Sequence, residues 1–184
     1  MMKKLLVIAL TIMVIGCAAQ GDTPAQQRAE IQKMSQQVLS DIYRESPGAQ
    51  KKVNAAAGYG VFTNAQINLI FMAAGGGYGV VHNNQTGAKT YMNMGEAGLG
   101  LGLGAKDFRV LFVFHTPKAL DDFVEKGWAF GAEADAAAKS GDKGGQMSGG
   151  ITIGDITVYQ LTENGLALQA TVKGTKYWKN DDLN

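Results

Sequence analysis

Several side chains in this sequence could do chemistry, but their spacing does not bring them together. The two histidines, His82 and His115, lie far apart with no HxxxH-type pattern, and a single cysteine cannot form a CxxC pair, so no metal site is expected. Asp121, Asp122 and Glu125 fall on what reads as the solvated face of a helix. Ser35, Ser40, Ser46, Ser140 and Ser148 lack the strand–turn–helix context of a nucleophile elbow. The glycine-rich stretches could cradle phosphate, yet no GK[ST] follows either, and the row at Gly98, Gly100 and Gly102 lacks the third fingerprint glycine and a βαβ frame. The expectation is a protein with no catalytic residues, no metal and no cofactor.

Cys17 is different. The chain opens "MMKKLLVIALTIMVIGCAAQ", with Lys3 and Lys4 ahead of an apolar run from Leu5 to Ile15 and Gly16 directly before Cys17. A basic start followed by a short apolar run reads as an export signal. The run is shorter than the roughly 18–20 residues needed to cross a bilayer. The stretch "VIGC", Val14 to Cys17, resembles the bacterial lipobox, which implies cleavage before Cys17 and its lipidation by diacylglycerol and a further acyl chain such as palmitate. Several acyl chains make a stable anchor where one holds only marginally. Ala18 stands where lipoproteins kept at the inner membrane usually carry aspartate. The expected address is thus the outer membrane, on its periplasmic side.

The expected divisions are a signal peptide over 1–16, a lipidated tether over 17–23 and one domain over 24–184. Loss of residues 1–16 removes Lys3 and Lys4 and takes the formal charge from +1 to about −1, so no attraction to nucleic acid is expected. About 168 residues remain, enough for one domain with a real core.

Within that domain, Thr23 and Pro24 mark a helix start, and Ile31, Met34, Val38, Leu39, Ile42 and Tyr43 form one apolar stripe. Pro47 and Gly48 end it, and "AQKKVNAAAG" adds a shorter helix. From Gly58 the texture changes to runs rich in branched and aromatic residues: "YGVF", "INLIFMAAGGGYGVVHN", "KTYMNM", "GLGLGLGA" and "FRVLFVFHT", with "NNQTG" as a turn. One helix interrupts them, with Thr116 as cap, Pro117 first and Gly127 as stop. "AEADAAAK" is assigned to strand and "SGDKGGQMSGG" to an exposed loop. "ITIGDITVYQL" and "LALQATVKGTKYW" are read as two final strands around "TENG". The predicted fold class is α+β: a glycine-rich, mainly antiparallel, barrel-like sheet with an N-terminal amphipathic helix and one internal helix.

Period two gives the glycine rows a strand reading. Gly98, Gly100, Gly102 and Gly104 would share one face and Leu99, Leu101 and Leu103 the other, while Gly75, Gly77 and Gly79 lie opposite Tyr78 and Val80. Faces without side chains permit close approach of a neighbour and sharp coiling of the sheet.

From about Val53 the chain resembles bacterial SYLF-domain proteins. "GYGVF", "AAGGGYGVV", "GLGLGLGAKDFRVLFVF", "ALDDFVEKGWAFGAEADAAAK", "VYQLTENGLALQATVKGTKYW" and "DDLN" carry the likeness. The resemblance implies a glycine-rich antiparallel β-fold with flanking helices, no catalytic residues, and phospholipid as the ligand. Actin binding and phosphoinositide specificity belong to eukaryotic branches and do not transfer. The expected function is a non-enzymatic phospholipid-binding lipoprotein of the bacterial cell envelope. The competing reading is a structural or protein-interaction module, with partner unknown, in which lipid serves as anchor alone. Candidate membrane contacts from the residues themselves are Arg28 and Lys33 beside the helical stripe, Met34, Leu39 and Tyr43 on it, and the basic pair Lys51 and Lys52.

Overall fold

A computed structural model of the chain describes residues 19–69, 72–98, 104–130, 150–162, 165–167 and 175–184. Cys17, "AEADAAAK" and most of "SGDKGGQMSGG" lie outside them. Three helices are described: α1 (Pro24–Glu45), α2 (Pro47–Ala55) and α3 (Pro117–Lys126). Thr23 caps α1 through a reciprocal pair with Gln26, and Pro24 supplies the first helical φ. Pro47 opens α2 directly after Ser46 ends α1. Thr116 accepts from the Ala119 amide at the start of α3. Gly127 closes α3 at φ 66, where a Cβ would lie 2.3 Å from the Tyr177 carbonyl, so that stop requires glycine.

The strands are β1 (Gly58–Leu69), β2 (Met72–Asn83), β3 (Lys89–Gly98), β4 (Gly104–Phe114), β5 (Trp128–Phe130), β6 (Ile151–Ile153), β7 (Ile156–Thr162), β8 (Gly165–Ala167) and β9 (Thr175–Lys179). They form one curled, half-barrel sheet in the order β5-β9-β3-β2-β1-β4-β7-β6, with β8 also on β7 and every described pairing antiparallel. The architecture is the expected α+β single domain.

Both faces of the sheet are covered. On the inner face Phe62, Met92, Met94, Phe112, Phe114 and Tyr177 meet Leu120 and Phe123 of α3, which sits inside the curl. Phe62 and Tyr177 contact edge to face with centroids 4.8 Å apart. On the outer face α1 and α2 lay Val38, Ile42, Ala49 and Val53 on Val61, Leu111, Val113, Tyr159 and Leu161. Ile31 of α1 reaches a neighbouring cluster with Val80, Tyr91 and Leu183.

Period two holds in β2. Gly77 and Gly79 stand on the inner face, where a Cβ on Gly77 would be 2.0 Å from the Thr63 carbonyl and one on Gly79 2.3 Å from the Phe62 ring. Tyr78 and Val80 pack on the outer side. These glycines therefore admit the backbone and ring of β1.

The second glycine row departs from expectation. Gly98 ends β3 and Gly104 opens β4, two strands that β2 and β1 separate in the sheet and that run in opposite directions. The four glycines thus do not share one face of one strand, because the chain reverses between the first and the last; residues 99–103 lie outside the described set. Two further runs are divided. Ile67–Asn83 splits between β1 and β2, which pair to Leu69↔Met72, and "ITIGDITVYQL" breaks at Gly154, φ 53, into β6 and β7.

Candidate functional site

The sequence-derived membrane candidates all lie on α1 and α2, the helices on the outer face of the sheet. The arrangement separates them. Arg28 and Tyr43 stand about 22 Å apart along the helix axis. Met34, Leu39 and Tyr43 are partly buried against the sheet. Burial, and then the neighbouring Tyr59, pushes the Tyr43 phenol up to about 12. Lys33 and Lys51 are exposed, while Lys52 places its Nζ 5.8 Å from the Tyr159 ring centroid. Arg28 is engaged at the other end of α1. Its Nε donates to the Leu183 carbonyl at 2.8 Å, and its guanidinium carbon lies 6.0 Å from the Tyr91 ring centroid.

That second end is a constellation the residue-by-residue reading missed. Asn184 accepts from the Tyr91 amide at 2.9 Å through Oδ1 and donates Nδ2 to the Tyr91 carbonyl at 2.8 Å. Asn180 donates its amide to the same carbonyl at 3.0 Å. The terminal "DDLN" is thus stapled to β3. Ala19 is buried in the same cluster, beside Ile31, Tyr91 and Leu183, while Gln27 donates to the Gly21 carbonyl at 3.0 Å. The segment expected as a tether is therefore docked from Ala19 onward. A signal did exist in the sequence, since "DDLN" was among the stretches carrying the resemblance, but no local periodicity gives it a partner.

Trp178 lies next to this staple. Among the residues whose burial is described, it is the large hydrophobic side chain that stands exposed, at 42%. Strand β9 alternates, with Thr175 and Tyr177 inward and Lys176 and Trp178 outward. The indole rests on Gly95, where a Cβ would lie 3.0 Å and 3.2 Å from its Cη2 and Cζ3.

Groups with shifted acidity are present, but they are dispersed. His82 stacks on Tyr59 with centroids 4.7 Å apart, and burial followed by nearby Lys89 lowers its imidazole to about 4. Inside the curl, Glu96 accepts from Asn64 Nδ2 at 2.7 Å; burial raises its carboxyl and the hydrogen bond partly opposes that. His115 Nε2 lies 2.7 Å from Thr157 Oγ1, yet Thr157 is buried and the Asp155 carboxylate is taken up by Thr116. Among the described residues no group of three or more His, Cys, Asp and Glu could hold a metal ion, and no helix is long and apolar enough to cross a membrane.

A curled half-barrel sheet with helices packed on both faces defines an α+β single domain. Residues 95–184 match the family model described as "Ysc84: Las17-binding protein actin regulator". Over 164 residues the chain is 34% identical to "Beta cell expansion factor A" of Aeromonas veronii, a match covering 88% of this chain and 60% of that relative's length. These matches support assignment of the chain to the Ysc84 (SYLF) family, a family of binding domains.

Proposed function

We propose that this protein is a phospholipid-binding lipoprotein of the bacterial cell envelope, without enzymatic activity. In this reading Cys17 is acylated, the protein is anchored to the outer membrane facing the periplasm, and the SYLF domain itself contacts phospholipid. One observation carries the reading: a lipobox-like Val14–Cys17 directly precedes a chain assigned to a family of binding domains. The docking of Ala19 adds to it, because an acylated Cys17 would then hold the fold close to the bilayer.

A second reading is favoured by the partial burial of Met34, Leu39 and Tyr43. With that stripe turned to the sheet, the domain serves as a rigid platform for another envelope component and lipid acts as anchor alone.

Co-sedimentation separates the two. The chain from residue 17 onward, carrying Cys17→Ser, keeps every described residue and lacks both acyl groups and signal. Its binding to vesicles of phosphatidylethanolamine with a minority of phosphatidylglycerol is the expected result. No binding at low salt would remove phospholipid recognition by the domain and leave the platform.

A further inference from the structure

We infer that the outer-face patch centred on Trp178 is the surface that lies against the phospholipid bilayer, on the side where the chain enters the fold. The inference rests on the lipid reading above and assigns it a face other than the exposed side of α1.

The first observation is the state of Trp178 itself. Burying a tryptophan is among the larger gains available to a core, yet this one rests the far edge of its ring over Gly95 and stands 42% exposed. The glycine gives the ring a floor without enclosing it. An indole presents an apolar body and one N–H donor, the combination that settles at a membrane–water boundary. Lys176, next on the same face, has an apolar stem and a terminal ammonium able to reach a phosphate.

The second observation is independent of exposure and concerns where the chain arrives. Trp178 is opposite Asn93 in the β3–β9 register. Tyr91 stands two residues further along the same face, and such diagonal neighbours lie about 7–8 Å apart. Tyr91 belongs to the cluster in which Ala19 is buried with Ile31 and Leu183. Ala19 follows Cys17 by two positions, and two residues of extended chain span at most about 7 Å. Ala19 thus enters the fold on the face that Trp178 shares, and a bilayer holding acyl groups on Cys17 would be approached by that face.

Charge on the patch is mixed. Lys176 is exposed, but so are Asp181 and Asp182. Contact is thus carried mainly by interfacial insertion of the indole rather than by attraction to anionic lipid, and raising the salt should weaken it little.

The test uses the chain from residue 17 onward with Cys17→Ser, and the same vesicles with and without a lipid brominated on its acyl chains. Trp128→Phe leaves Trp178 as the single tryptophan. On binding, its emission should shift to the blue and be quenched by the brominated lipid, and Trp178→Ala in the otherwise unaltered chain should weaken vesicle binding several-fold. If Trp128→Phe fails to fold, Trp178→Ala decides alone, since an exposed side chain is dispensable to the core. Protein that co-sediments with unquenched Trp178, and binds equally well as Trp178→Ala, overturns the patch while lipid binding stands. In that event loss of binding by Lys33→Glu or Lys51→Glu would assign the contact to the helices. Protein that never co-sediments overturns both.

Discussion

Asp41, in the middle of the buried face of α1, accepts a hydrogen bond through Oδ2 from Arg109 Nη1 of β4 at 3.1 Å. Its other oxygen accepts from Arg44 at 3.0 Å and Gln37 at 3.1 Å, so the carboxylate is shared between helix and sheet. The side chain of Asp41 is 11% exposed, and that of Arg109 is 37% exposed. Loss of the carboxylate leaves Arg109 half-buried without its counter-ion. Asp41→Ala should cost about 1–3 kcal/mol, less than a fully buried pair because water screens Arg109. Urea denaturation checks it; an unchanged midpoint would mean that apolar packing alone seats α1.

The glycines of the chain should divide by surroundings. Gly79→Ala would put a Cβ 2.2 Å from the Val61 carbonyl and 2.3 Å from the Phe62 ring, so strand or ring must move. A cost of about 1–3 kcal/mol is expected. Gly48→Ala, in α2 with nothing within 4 Å of the new Cβ, should stabilise by about 0.4–1 kcal/mol through the unfolded chain. Thermal melts of the two variants should move in opposite directions.

His82 makes stability depend on pH. Its imidazole is lowered from 6.5 to about 4 in the folded protein by burial and by Lys89. As pH falls below 6.5 the unfolded chain takes up this proton first. The contribution is therefore full above 6.5 and is lost progressively as pH falls through about 4. His82→Phe keeps a ring against Tyr59 and removes the titration. Denaturant midpoints between pH 7 and pH 4 should fall less steeply in the variant, and an NMR titration of the wild type gives the imidazole directly.

Glu96 acts with the opposite sign. Burial raises its carboxyl above the ordinary 4.5, so the folded state holds the proton longer and stability declines as pH rises through the interval above 4.5. Glu96→Gln should remove that decline while keeping an acceptor for Asn64. Midpoints at neutral pH should rise relative to the wild type; an equal or lower midpoint would show that the ionised carboxylate is well solvated.

Acylation of Cys17 has its own outcome. Mass spectrometry of the mature protein should find lipid on Cys17, and Cys17→Ser should accumulate as uncleaved precursor or as soluble periplasmic protein. Wild-type protein with its signal removed, no lipid mass and unchanged membrane association would exclude the anchor. Ala18→Asp should shift the protein towards the inner membrane; unchanged fractionation would count against the sorting rule alone.

Helix ends were legible because their causes lie within a few residues of each other. Thr23 and Pro24, Ser46 and Pro47, and Thr116 with Gly127 set caps, φ values and stops that need no distant partner. That Gly77 and Gly79 share a face opposite Tyr78 and Val80 followed from period two alone. For Gly98 and Gly104 the same period misled, since alternation in sequence does not say where the chain turns. Likewise, the apolar stripe of α1 announced that Met34, Leu39 and Tyr43 share one side, but whether that side meets a sheet or a membrane depended on what else the fold supplied.

By itself, then, the sequence determined the helices, the strand-rich middle, the close approach at β2 and the likeness to SYLF proteins, all of which rest on local conformational preference. Only the tertiary structure decided that β3 and β4 are held apart by the β1–β2 hairpin, that Asp41 meets Arg109, that Asn184 closes on Tyr91, and that Trp178 stays exposed over Gly95. Each of these joins residues distant in the chain. Their pairing is selected by the closure of the whole sheet, which no short window of sequence encodes.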